Sequence, residues 1–378
     1  MKISIDVSQI VYEGTGVANY TRDLVSHLVK KDRKNDYLLF GYSLRRKEVI
    51  DKFFEELKSY NNNLLFRSFR IPEGLANFIW NDRHIFALEH LVGSSDIYHS
   101  SDWIQIPSKA RKITTVHDLI IYKYPQTSAP TIIATQKKRL SHAVRECRII
   151  LADSNSTKDD LVKILNFPKN DINVVYPGIN SAFRNISPRM TKKIIGQYHI
   201  SSPYFLTVGT KEPRKNIKRI INAFNKFIQQ SYFKEIKNPP ILVIAGNAGW
   251  GETITGDKRI KVIGKIDSQD LPALYSASIS LVYPSLYEGF GLPVLEAFAC
   301  GAPVICSNRG SLKEVAQDAA YIVDPVKEDD ITKAMLKIFT DRSLRDKLIN
   351  KGLIRSKFFS WDNAVRGVLS SYNQLLNK

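Results

Sequence analysis

The chain of 378 residues is long enough for two or three domains with a large buried core, and 43% apolar against 24% charged residues excludes a disordered or fibrous protein. Cys147, Cys300 and Cys306 form no Cys-x-x-Cys pair, which excludes a zinc knuckle or a disulfide framework and fits a reducing compartment. A formal charge of +18, from 55 basic and 37 acidic residues, favours contact with an anion: nucleic acid, an anionic membrane surface or a small phosphorylated ligand.

Reading from the amino terminus, Met1 to Ile10 alternates like a strand, Glu13-Gly14-Thr15-Gly16 turns the chain, and Val17 to Val29 has helical apolar spacing at Val17, Tyr20, Leu24 and Leu28. Asp6 interrupts what a secretion signal would need to be apolar, and no run approaches the ~18 apolar residues of a membrane span, so a cytoplasmic protein is expected. Further strands are expected at Tyr37 to Phe40, Ile97 to His99, Ile113 to Val116, Ile149 to Ala152 and Ile172 to Tyr176, with helical stretches between them. Ile79-Trp80, Ile85-Phe86 and Leu88 read as an apolar-aromatic helical stripe, either core or membrane-facing. Residues 101 to 150 carry nine basic against three acidic residues, which suits an anionic surface nearby.

The pattern then restarts, with short buried strands expected at Tyr204 to Val208, Ile241 to Ala245, Lys261 to Ile263, Ser280 to Tyr283, Pro303 to Cys306 and Tyr321 to Val323. The fold class is therefore α/β, with two doubly wound Rossmann-like domains in tandem. The expected boundaries are 1–178, a Pro- and Gly-punctuated linker over 179–202, and 203–360. Ligands of such sheets bind outside the carboxyl ends of the strands, so two domains facing across a cleft are the default arrangement. Residues 181 to 237 hold 12 Lys or Arg against Glu212 and Glu235, so more than half of the net charge is local. No zinc-finger or RNA-binding aromatic pattern accompanies it, and nucleic acid is not expected as a partner.

Three motifs bear chemistry. Gly14-Thr15-Gly16 opens like a dinucleotide loop, but Asn19 stands where the last glycine of G-x-G-x-x-G belongs, leaving a close backbone approach to a ligand or a plain tight turn. Val208 to Asn216, VGTKEPRKN, puts Arg214 and Lys215 at a strand end before a helix, where cations are unfavourable unless an anion is present, so both are expected on phosphate oxygens. In Tyr283 to Asn308, Glu288 precedes the loop Gly289-Phe290-Gly291-Leu292, and Glu296 lies one turn into a short helix that Pro293 starts and Gly301 stops. The glutamates would line a pocket floored by that loop, with backbone N–H groups for a diphosphate and carboxylates for sugar hydroxyls.

The glutamate pair within EGFGLPVLEAFACGAPV, the EPRKN run and the two-unit layout resemble the family 4 retaining glycosyltransferases of the GT-B fold, most of all bacterial mannosyltransferases, over nearly the whole chain. The resemblance implies that Arg214 and Lys215 bind the donor diphosphate, Glu296 the ribose hydroxyls and Glu288 the transferred sugar. His117, with Asp118 in TTVHDLI, matches a strand-end position that touches the donor sugar; a satisfied core histidine is the other reading. Gly14, Thr15 and Gly16 match the loop over phosphate and acceptor, and Gly246, Ile263 and Gly264 lie where the base meets mostly backbone. Thr210 stands where many members carry a further arginine, so a clamp of two guanidinium groups is not expected. The helix 361–378, following Phe359-Ser360-Trp361, would cross back to the first domain.

The resemblance implies transfer of a hexose from a nucleotide-diphosphate sugar, GDP-mannose before UDP-linked hexoses, to a saccharide or lipid-linked saccharide in polysaccharide or glycolipid assembly. No Asp-x-Asp triplet occurs in the chain, so no metal or other cofactor is expected. An anionic membrane surface at the inner face is a further expected partner. A GT-B sugar-nucleotide epimerase and a non-catalytic nucleotide-sugar binder are the alternatives.

Overall fold

The structure, a computed structural model, describes residues 1–60, 63–201, 203–210, 212–233, 236–246 and 257–378. Ser202 of the expected linker, and Lys211, Lys234 and Glu235 of the basic segment, lie outside them. The chain divides into two compact units, Met1–Gly178 with Ser360–Lys378, and Ile179–Phe359.

Among the described residues the first unit holds seven parallel strands: β1 (Lys2–Asp6), β2 (Asp36–Tyr42), β3 (Leu64–Phe69), β4 (Ile97–Ser100), β5 (Arg111–Val116), β6 (Cys147–Ala152) and β7 (Ile172–Val174). Their order is β3-β2-β1-β4-β5-β6-β7, so the winding reverses between β1 and β4. A sheet covered by helices on both faces selects apolar strands, and Ile3, Ile5, Leu39, Ile97 and Ile113 are all buried. β3 escaped the sequence reading because it is an edge strand with alternate residues exposed. The first strand is shorter than Met1 to Ile10, since Ser8–Val11 coils into a 3-10 turn.

The helix Trp361–Asn377 belongs to this unit: Trp361, Val365, Val368 and Tyr372 pack into the core formed by β1 and the helix Gly16–Lys31. Ser360 caps it, accepting a hydrogen bond from the Asn363 N–H at 3.2 Å. Gly178 lies so close to the Trp361 backbone that a Cβ there would sit 2.2 Å from Trp361 N. Only glycine lets the two chain segments meet at that point.

Among the described residues the second unit has six parallel strands: β8 (Tyr204–Val208), β9 (Ile241–Ala245), β10 (Ile260–Gly264), β11 (Ser280–Tyr283), β12 (Val304–Ser307) and β13 (Tyr321–Val323). The order β10-β9-β8-β11-β12-β13 reverses between β8 and β11, and Phe205, Phe224, Phe227, Val282 and Met335 fill the core. The stretch expected as a linker is instead built into this unit. Pro188–Gln197 is a helix whose first position suits proline, Thr191 and Ile200 are buried, and the Tyr198 hydroxyl donates to Asp270 at 2.8 Å.

The apolar-aromatic stripe is not one helical face. Asn77–Asp82 is a π-helix, and His84 and Phe86 break it with left-handed backbones (φ 52° and 62°). Trp80 and Leu88 are buried, whereas Ile85 and Phe86 are 57% and 50% exposed.

Candidate active site

In open parallel sheets the crevice forms where neighbouring connections leave in opposite directions, which in the second unit is between β8 and β11. The chain beyond each of these strands carries the charged residues. After β8, Pro213–Lys215 makes a 3-10 turn, and Asn216 follows with φ 63°. The buried Asn216 amide donates to the carbonyls of Pro284 (3.0 Å) and Pro325 (2.6 Å), pinning the basic turn to the loops after β11 and β13. A backbone bond from Leu286 N–H to Arg214 O at 2.8 Å adds a second tie.

Arg214 and Lys215 converge on Glu288. Arg214 Nη1 is 2.6 Å from Glu288 Oε2 and Lys215 Nζ is 2.7 Å from Glu288 Oε1, while the Tyr283 hydroxyl donates to Oε1 at 3.0 Å and accepts from Lys215. Glu212 takes another edge of Arg214 at 2.9 Å, so two cations face two carboxylates. Burial would raise the Glu288 pKa, but Arg214 and then Lys215 hold it down at about 2. Burial and the neighbouring Arg214 lower the pKa of Lys215. The cations expected on phosphate thus rest on Glu288 in this state, because an unpaired buried charge is costly.

Glu296 stands in the helix Leu292–Ala299 and accepts a hydrogen bond from the Tyr275 hydroxyl at 2.8 Å. Burial pushes its pKa up to about 7, with Tyr275 and Lys215 opposing. Gly289, Phe290 and Gly291 are buried and Leu292 is half-buried at the start of that helix. The loop is shaped by contact: Gly291 has φ 106°, and a Cβ on it would strike Leu312 at 2.5 Å. The Ser311 hydroxyl bridges the carbonyls of Glu288 (3.0 Å) and Phe290 (2.7 Å).

At the carboxyl ends of β8, β9 and β10, Gly209, Gly246 and Gly264 all have positive φ (135°, 138° and 70°). A Cβ on Gly246 would lie 2.1 Å from Gly209 O, so the ends of β8 and β9 meet backbone to backbone, and a Cβ on Gly209 would lie 3.4 Å from the Lys215 side chain. Thr210 and Ile263 flank these glycines, and Thr210 O accepts from the Glu212 N–H at 2.8 Å.

In the first unit, His117 follows β5 and its Nδ1 pairs with Asp153 Oδ2 at 2.6 Å, directly after β6. Tyr20 packs edge-on against the imidazole, with ring centroids 4.7 Å apart. Burial pulls the His117 pKa down, yet Asp153, with Asp102 and Asp118 adding, lifts it to about 9. Asp118 Oδ1 accepts from the Ile120 N–H at 3.0 Å and so shapes the turn. Thr15 caps the helix Gly16–Lys31 by accepting from Ala18 N–H at 3.3 Å; Gly14 (φ 85°) and Gly16 are exposed, with open space where a Cβ would be.

The sequence reading passed over a second feature of this unit. The carboxyl ends of β1 to β4 border a cavity of about 390 Å³ lined by Tyr12, Tyr42, Arg45, Arg46, Glu73 and Trp103, among others. Glu73 is held by the Tyr12 hydroxyl (2.7 Å) and Trp103 Nε1 (3.0 Å). Residues that face one another from four separate connections leave no signature of spacing in the chain. Tyr283 and Asp153 were missed too, although each sits at or just beyond the end of a strand, where site residues concentrate.

Two parallel Rossmann-like sheets with a basic-acidic cluster at one switch point define a doubly wound α/β protein, and comparisons with known proteins name its family. Residues 14–183 match the model described as Glycosyltransferase Family 4, and residues 192–355 match Glycosyl transferases group 1. The O-antigen chain mannosyltransferase B of Escherichia coli is 30% identical over 99% of this chain and 100% of its own. Sucrose-phosphate synthase from Thermosynechococcus elongatus superposes with a TM-score of 0.75 at 19% identity, covering 100% of this chain and 99% of that one. HepE of Anabaena, solved in complex with UDP and glucose, gives 0.72 at 14% identity, covering 99% and 100%. The chain belongs to the family 4 glycosyltransferases of the GT-B fold. No helix among the described residues is long and apolar enough to cross a membrane.

Proposed function

We propose that the chain moves a hexose, mannose from GDP-mannose as the first choice, with retention of anomeric configuration and without a metal, to a saccharide or lipid-linked saccharide of polysaccharide or glycolipid assembly. The observation that carries this reading is the Arg214–Lys215–Glu288 cluster at the β8/β11 switch point beside side-chain-free strand ends. Its likeness to an O-antigen mannosyltransferase over full length supports mannose. A UDP-linked hexose is the second choice, supported by the structural neighbour that carries UDP and glucose.

In this mechanism the donor diphosphate takes over the cations that now rest on Glu288. The glutamates keep Arg214 and Lys215 in place beforehand, so little reorganisation is left for the reaction. As the glycosidic bond to the diphosphate breaks, negative charge develops on the leaving oxygen, and Arg214 and Lys215 meet it. Glu288, released from the cations, turns to the hydroxyls of the transferred sugar, and Glu296 receives the ribose hydroxyls. The acceptor hydroxyl attacks from the leaving-group side through an ion-pair intermediate, forming the new glycosidic bond as its proton passes to the departing phosphate oxygen. His117, protonated and held by Asp153, donates to the donor sugar.

The acceptor's first sugar ring occupies the cavity at the β1 to β4 ends, with Trp103 and Tyr12 as stacking faces. Leu75, Phe78, Ile85 and Phe86, each about half exposed, rest in the membrane interface and bring a lipid-linked acceptor within reach.

Calorimetric titration with GDP, UDP, ADP and their sugar conjugates, with and without magnesium, tests the donor side. Metal-independent binding of one diphosphate, weakened in Arg214→Ala and Glu296→Ala, is expected. Failure of all three nucleotides to bind would sink the transferase mechanism. Product analysis separates it from an epimerase, because a transferase consumes donor only when a second substrate is present.

A further inference from the structure

Beyond the transferase site, three side chains of the first unit converge on one point. His142 and Glu146 stand one turn apart on the helix Pro130–Glu146, and His84 reaches them from the left-handed loop that ends the π-helix Asn77–Asp82. One ligand-capable atom from each lies within 4.8 Å of the other two. All three residues are half-buried.

The hydrogen bonds fix which atoms point inward. His84 Nδ1 is 2.8 Å from Trp80 O and His142 Nε2 is 2.9 Å from Asn81 O, so each imidazole uses one nitrogen as an N–H donor to a backbone carbonyl. That leaves lone pairs on His84 Nε2 and His142 Nδ1. Histidines that ligate a metal are oriented in this way, with the outer nitrogen donating to a carbonyl or carboxylate. Glu146 is prepared likewise: Lys112 Nζ (2.7 Å) and Gln105 Nε2 (3.4 Å) take Oε2, while Oε1 faces His84 Nε2.

A bare imidazole nitrogen and a carboxylate oxygen repel unless a cation lies between them. Here His84 Nε2 and Glu146 Oε1 face each other in direct contact, and Arg145 Nη2 covers His142 Nδ1 at 3.1 Å. The two rings are stacked, with centroids 3.8 Å apart and planes 6° from parallel. Such stacking suits at least one neutral imidazole, the form that binds metal.

We propose that His84, His142 and Glu146 form a binding site for one divalent transition-metal ion of the zinc class, with a fourth position open to water. Two imidazoles and a carboxylate are a ligand set that zinc accepts. Binding places the cation between His84 Nε2 and Glu146 Oε1, swings Arg145 off His142 and tilts the stacked rings toward a common point. The ion then ties the loop at His84 to the helix Pro130–Glu146. The site is structural and takes no part in the transfer of the sugar.

The test is titration of chelator-stripped full-length protein with zinc ions, read by calorimetry and by the melting temperature. One equivalent bound, with a raised melting temperature, is expected. His142→Ala and Glu146→Gln should each weaken binding by more than about 100-fold, beyond the 10- to 100-fold cost of losing an orienting partner. His90→Ala, an exposed histidine outside the cluster, should bind as the parent does. Zinc-edge X-ray absorption on the unmutated protein is the check that does not depend on variants folding, and should count two imidazole nitrogens. Absence of saturable binding, full affinity in His142→Ala, or bound zinc without imidazole ligands would each overturn the proposal.

Discussion

At the carboxyl ends of β8 and β11 a carboxylate, Glu288, is held between two cations, whereas at the ends of β1 to β4 a carboxylate, Glu73, is held between two neutral donors, Tyr12 and Trp103. Both lie where the same strand order opens a crevice. Topology therefore supplies the place twice, and side chains decide the ligand. Paired ions that can be traded suit a diphosphate, which brings its own charge. Aromatic faces around a carboxylate suit a sugar ring with an apolar face and hydroxyl edges. The two ends also differ in how their backbones are used: Gly209, Gly246 and Gly264 remove side chains from the second unit's strand ends, while the first unit fills its ends with rings.

The sharpest way to break this contrast is at Lys215. Lys215→Ala should lower kcat by about 10²- to 10³-fold, the loss typical when one group that stabilises developing negative charge is removed. Arg214→Lys, which keeps charge but not the planar fork, should lose less than Arg214→Ala. Single-turnover rates at saturating donor measure both. Near-normal rates in Lys215→Ala would mean that the cations serve only to balance Glu288.

A smaller effect is expected in the first unit. Trp103→Phe keeps a ring and removes the donor to Glu73, and Glu73→Gln removes its charge. Each should raise the acceptor KM by about 10- to 150-fold, in line with ~1.5–3 kcal/mol for a hydrogen bond to a charged group. Donor affinity, read by calorimetry, should not move. A parallel loss of donor binding would erase the distinction between the two crevices.

Proton titration sharpens the comparison within the second unit. Glu296, raised by burial to about 7, is half protonated near neutrality, and ribose hydroxyls donate better to its carboxylate. Affinity for the sugar conjugate, whose phosphates carry no proton in this range, should therefore rise as pH passes from below 7 to above it, then level. Glu296→Gln should abolish the rise. Glu288 behaves oppositely in stability: its folded pKa of about 2 lies below the ordinary 4.5, so its contribution is complete above 4.5 and is lost as pH falls toward 2.

What the chain disclosed beforehand divides along similar lines. Local signals carried well: Pro293 and Gly301 bracket the helix that holds Glu296, and twelve of the thirteen strands among the described residues coincide with apolar runs. Arg214 and Lys215 could be linked to an anion because a helix start repels cations. That the anion at hand is Glu288, 73 and 74 positions away, follows from the adjacency of β8 and β11, which no local pattern encodes. The same reason hid Asp153 behind His117 and scattered the lining of the cavity among four connections. Proline misled at 179–202 because a helix start and a linker use it alike.

The smallest effect on the fold, and a selective one on function, is expected at Ile85 and Phe86. Both side chains are half exposed beside Phe78, over whose ring Arg83 lies at 5.4 Å, so apolar surface and positive charge share one edge of the first unit. Replacing both with serine removes little packing, and stability should stay within about 0.5 kcal/mol per site, as for surface positions generally. Flotation with vesicles containing anionic lipid should nonetheless fall, while turnover of a short soluble saccharide acceptor stays at the parent rate. Equal loss with soluble and lipid-linked acceptors would place these residues with the cavity at the β1 to β4 ends rather than with a membrane surface. Unchanged flotation would show that the basic surface alone recruits the protein, leaving the two exposed side chains without a lipid role.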